Sequence, residues 1–73
     1  MAHILITEFM DAPAVARLQQ AHAVHYAPEL VDQPETLLQA AATADALIVR
    51  NRTQVRGALL QAMVRCQVVG RLG

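Results

Sequence analysis

Ala46-Leu47-Ile48-Val49-Arg50-Asn51-Arg52-Thr53 is a short apolar run cut off by two arginines and an amide. Four consecutive apolar residues that stop this abruptly predict a strand buried on both faces, with its carboxyl end at the surface. Upstream, His3-Ile4-Leu5-Ile6-Thr7 has the same character. Val24-His25-Tyr26 is a shorter strand ended by Pro28, and Gln67-Val68-Val69 is a fourth, running into Gly70-Arg71-Leu72-Gly73.

Helical signals separate these runs. Asp11 offers an N-cap with Pro13 in the first turn, and Val15 and Leu18 fall at helical spacing, so a helix is expected over residues 12–21. Asp32-Gln33-Pro34-Glu35 reads as a capping box ahead of Leu37, Leu38, Ala41 and Ala42. Thr53 is expected to cap a third helix that turns Val55, Leu59, Ala62 and Met63 inward, although Gly57 weakens it.

The order is β-α-β-α-β-α-β with no hairpin signal. Each helix returns the chain to the starting edge, which forces parallel pairing. The first and third strands are the most apolar and belong in the centre. The expected fold class is therefore an α/β, flavodoxin-like parallel sheet, partial in extent, with strand order 2-1-3-4.

Composition narrows the function. The 73 residues allow at most one domain, and hydrophobic residues make up 55% with aromatics only 3%, so small aliphatic side chains must fill the core. The basic residues are six arginines, balanced by six acidic residues, which leaves no excess charge to bind nucleic acid. No apolar stretch approaches the ~20 residues of a membrane helix, so no membrane partner is expected. Cys66 is the single cysteine, which excludes a disulfide framework and fits a reducing, cytoplasmic compartment. His22 and His25 have a spacing seen in metal sites, but no Cys or acidic third ligand is near them, so no metal is expected.

Ligands of open parallel sheets bind beyond the carboxyl ends of the strands. Arg50-Asn51-Arg52-Thr53 and Gly70-Arg71-Leu72-Gly73 follow neighbouring strands in the expected topology. Together they would bring arginines, an amide and two glycines to one rim, a combination suited to a small anion. Turn glycines and solvated arginines would have the same composition. Glu8, after the first strand, reads as a solvated loop carboxylate.

The stretch 44–53, followed by Val68-Val69-Gly70-Arg71-Leu72-Gly73, resembles the amino-terminal segment of the D-isomer-specific 2-hydroxyacid dehydrogenases, most of all their phosphoglycerate dehydrogenase branch. Ile4-Leu5-Ile6-Thr7-Glu8 with Met10-Asp11 fits the same family, and the resemblance covers the whole chain. It implies that residues 1–73 are the N-terminal part of a substrate-binding domain. It also implies that Arg50, Asn51, Arg71 and Gly73 contact a small anionic 2-hydroxy or 2-keto acid. Asn51 stands where family members often carry Ser.

The family's cofactor is NAD. Its Gly-x-Gly-x-x-Gly turn and its catalytic Arg, Glu and His have no counterpart in these 73 residues, so no catalytic residue and no cofactor contact is expected here. An apolar fourth strand at an open edge, followed by no helix, suggests a truncated domain. It would be completed by the missing remainder of the chain or by a second copy in a homo-oligomer. Two other uses of the fold have less support in the sequence. A phospho-acceptor receiver needs an Asp at the end of the third strand, where Arg50 stands. A non-catalytic association module, pairing through the fourth strand, has no positive motif.

Overall fold

The computed structural model describes residues 2–72. Its elements are β1 (His3–Ile6), α1 (Ala12–Gln19), β2 (Ala23–Tyr26), a 3-10 helix (Pro28–Asp32), α2 (Pro34–Ala41), β3 (Ala46–Val49), α3 (Ala58–Ala62) and β4 (Val68–Arg71). The four strands form one parallel sheet in the order β2-β1-β3-β4, the expected arrangement.

Side chains of the central strands alternate between two cores. Ile4 and Ile6 pack with Val15 of α1 on one face, and Leu5, Leu47 and Val49 pack with Leu37, Ala41 and Leu59 on the other. One helix therefore lies on the first face, and α2 and α3 lie on the second. Leu5, Ile6 and Leu47 are each only 1% exposed, so the centre of the sheet is closed by aliphatic side chains. β4 is different: all four of its residues are exposed.

Helix α1 begins after Asp11 as expected, but without a side-chain cap, and the starts of α2 and α3 move. Asp11 accepts the Val15 N–H through its backbone carbonyl, but its side chain caps nothing. Asp32 does not begin α2, because Pro28–Asp32 is wound into the 3-10 helix. Gln33 takes the N-cap position, and no capping box forms. Thr53 does not begin α3. The chain stays irregular to Gly57, where φ is +59° and ψ is −130°, and only then enters a five-residue helix. That backbone conformation is open to glycine and strained for any other residue. Gly57 thus sets the start of the helix that it was expected to weaken.

The winding direction reverses between β1 and β3. From β1 the chain moves outward to β2, then crosses back to β3 and on to β4. The crevice of a parallel α/β sheet lies at such a reversal, beyond the strand ends. Residues 7–9 and 50–53 are the segments that leave the sheet there.

Candidate functional site

Glu8 follows β1 directly and points across to the chain leaving β3. It is 5% exposed, not solvated as its loop position suggested. Its Oε2 accepts the backbone N–H groups of Arg50 and Thr53, both at 2.8 Å, and its Oε1 accepts that of Arg52 at 3.1 Å. Burial alone would push this carboxyl up. The hydroxyl and N–H of Thr53, with the N–H groups of Arg50 and Arg52, outweigh that effect and hold it below the ordinary value of 4.5.

The Thr53 hydroxyl also meets that of Thr7 at 3.0 Å, and both threonines are buried. Thr53 therefore serves the crevice, and Gly57 takes the N-cap position of α3. Nothing in the pattern around Glu8 signals this role. Its partners lie 42 to 45 residues away and meet it only once β1 and β3 pair.

Held in this way, the turn divides two open clefts. On one side Asn51 and Arg71 line a cleft of about 420 Å³, floored by Val49 and Val69 and rimmed by Gln54 and Arg56. On the other side Arg50, Arg52 and Glu8 line a cleft of about 360 Å³ against Phe9, Pro28 and Val31, with Asn51 shared between the two clefts. Of the residues singled out from the sequence, Asn51 and Arg71 come together and Arg50 turns to the neighbouring cleft. Gly73 lies outside the described residues.

The arginines differ in their pairing. Arg52 forms an ion pair with Asp32, which ties the turn to the 3-10 helix, and Arg65 pairs with Asp45 at 3.4 Å. The Arg52–Asp32 pair is largely exposed and contributes little to stability, while Asp45 of the second pair is half-buried. Among the described residues, Arg50, Arg56 and Arg71 have no carboxylate partner, so their charge is free to meet a ligand.

Gly70 does not have the role expected of a close-approach glycine. It lies inside β4 opposite Ile48, and a Cβ built there would meet nothing nearer than the Ile48 side chain at 3.8 Å. The backbone N–H groups that converge at this rim are instead those of Arg50, Arg52 and Thr53, and Glu8 occupies them.

Residues 4–73 match the family described as D-isomer specific 2-hydroxyacid dehydrogenase, catalytic domain. The chain belongs to that family. This dehydrogenase-family chain is also 47% identical over 73 residues to a protein of Chromohalobacter salexigens described as (S)-sulfolactate dehydrogenase. The match takes in all of the chain and 24% of that relative, so the chain spans about a quarter of its length.

These residues do not fit the NAD of the 2-hydroxyacid dehydrogenases. The β1–α1 turn, Thr7-Glu8-Phe9-Met10-Asp11, has no glycine and carries two carboxylates. The β3 turn has given its converging amides to Glu8. A pyrophosphate needs free amides at such a turn and would meet negative charge here. Among the described residues there is also no cluster of three His, Cys, Asp or Glu able to hold a metal, and no helix is long and apolar enough to cross a membrane. Cys66 is half-buried, with its Sγ 3.2 Å from the Val68 carbonyl oxygen.

Proposed function

We propose that the chain is the N-terminal part of the substrate-binding domain of an NAD-dependent, cytoplasmic dehydrogenase. Its substrate would be a small 2-hydroxy acid bearing a second anionic group. The observation that carries this reading is the shared cleft of Asn51 and Arg71, at the carboxyl ends of adjacent parallel strands, in a chain of this family. A planar guanidinium beside an amide is matched to a carboxylate, since both can donate in the plane of its oxygens.

Arg71 and Asn51, with Gly73, would hold the substrate carboxylate. Arg50, across the turn, would meet the distal anion. The relative's name favours a sulfonate as that group, and a phosphate would satisfy the same donors. NAD, bound by another part of the protein, would take the hydride as the hydroxy acid becomes a keto acid. The chain's own contribution is to bind and orient the anion. Glu8 moves no proton in this scheme, because its oxygens are committed to the turn.

The exposed side chains of Val64, Val68 and Val69 support a second element of the proposal. β4 would be covered by further polypeptide of the same protein or by a second copy in a homo-oligomer.

The full-length protein tests the reading. It is incubated with NAD and, in turn, sulfolactate, 3-phosphoglycerate and lactate, while NADH absorbance is followed. Turnover of a dianionic acid in preference to lactate is expected. Arg71→Gln should raise KM by about tenfold or more, as loss of a charge-assisted contact does. No turnover of any 2-hydroxy acid in either direction would sink the proposal.

A further inference from the structure

We infer that Glu8 is the positioning residue of the anion-binding turn: its carboxylate fills the cradle formed by the backbone N–H groups of Arg50, Arg52 and Thr53, and so leaves ligand binding to side chains. The inference rests on the site proposed above. Successive N–H groups that converge on one point form a natural anion receptor. Here the receptor is filled from within, by a carboxylate that no arginine or lysine neutralises among the described residues.

Two consequences follow from the geometry. A substrate anion is repelled from the backbone of the turn and must engage the arginines and the amide at its rim. Drawing the N–H groups inward also fixes the direction of the side chains between them. Asn51, whose own amide Glu8 does not take, borders both clefts and so meets Arg71, while Arg50 and Arg52 line the second cleft and not the first. Glu8 borders the Arg50 cleft, but its oxygens accept backbone N–H groups, so it acts on a ligand through Asn51 and Arg50.

Both carboxylate oxygens accept, so the cradle needs two acceptors. A glutamine of equal size offers one acceptor and places an NH₂ donor against at least one N–H group. Glu8→Gln is thus expected to raise KM for a dianionic 2-hydroxy acid about tenfold in the full-length protein. Its kcat should change far less, and KM for NAD should stay the same. The assay is run well below the variant's Tm. A lowered Tm with an unchanged substrate KM would overturn the inference, because it would leave Glu8 a purely structural role.

Should Glu8→Gln fail to fold, Thr53→Ala serves in its place, since it withdraws the hydroxyl from the same carboxylate. A KM increase of about threefold is then expected, and no increase counts against positioning. If the unsubstituted protein oxidises no 2-hydroxy acid, the function fails but the inference can still be decided. Inorganic sulfate is titrated while the Asn51 and Arg71 amide resonances are followed by NMR. Weaker sulfate binding in the folded variant supports positioning. Equal binding, or no response in the unsubstituted protein, refutes it.

Discussion

The threonine pair behind Glu8 gives the sharpest stability test. Thr7 is fully buried, and its hydroxyl has one partner, Thr53 at 3.0 Å. Thr53 has two, because its hydroxyl also acts on Glu8. A hydroxyl has one proton, so the expected arrangement has Thr53 donating to the carboxylate and Thr7 donating to Thr53. The two substitutions by valine are therefore unequal. Thr7→Val removes one neutral bond and leaves the Thr53–Glu8 contact intact, at a cost of about 1 kcal/mol. Thr53→Val removes a bond to a charged acceptor and strands the buried Thr7 hydroxyl, at a cost of about 3 kcal/mol. The double variant has no stranded hydroxyl and should cost about 2 to 3 kcal/mol, less than the sum of the singles. Urea unfolding of the three variants, monitored by circular dichroism, measures these terms. With a slope of about 1 kcal/mol per molar for a small domain, the midpoints should separate clearly. Simple additivity, or equal costs for the two single variants, would refute the assigned direction of the hydrogen bonds.

Three further outcomes are expected. Because the folded protein holds the Glu8 carboxyl below 4.5, its contribution to stability is complete above that value and is lost as pH falls through the lower folded value. Urea midpoints should therefore decline on acidification below pH 4.5, and less steeply in Glu8→Gln. Leu47→Ala removes a side chain that is 1% exposed at the centre of the sheet. It should cost about 3 to 5 kcal/mol, enough to leave a 73-residue chain largely unfolded, as read by far-ultraviolet circular dichroism. Gly57→Ala should cost about 1 to 3 kcal/mol from backbone strain alone, because nothing lies within 4 Å of the added methyl. Gly70→Ala, in ordinary strand geometry, should be neutral or slightly stabilising, and matching thermal midpoints for the two glycine variants would contradict the conformations seen.

The sheet was legible because its signal is local. Ala46–Val49 forms the strand its apolar run predicts, and alternation with helices leaves few ways to order four parallel strands. Element boundaries were less legible where two local preferences compete. Pro28 and Asp32 both look like boundary residues, and the chain resolves them as the two ends of a 3-10 helix. Gly57 reads from the sequence as a weakness within a helix, because its φ of +59° cannot be seen in a composition. In the site, Asn51 and Arg71 were identified by their places after neighbouring strands, and they do share a cleft. Arg50 lies one residue from Asn51 yet lines only the second of the two clefts that Asn51 borders, an arrangement set by how Glu8 folds the turn. The burial of Glu8 depends on donors distant in the chain, and no short-range pattern encodes that.

The separation of Glu8 from its donors also bears on how the protein reaches its native state. A turn shaped by its own residues can form early, within microseconds, while the rest of the chain is still open. This turn cannot, because the group that shapes it arrives only when the first and third strands have already come together across more than half the chain. Closing a loop of that length precedes any reward from the contact, which places the event late in folding. A partly folded population would therefore keep helices and some strand pairing while having no organised binding surface at all.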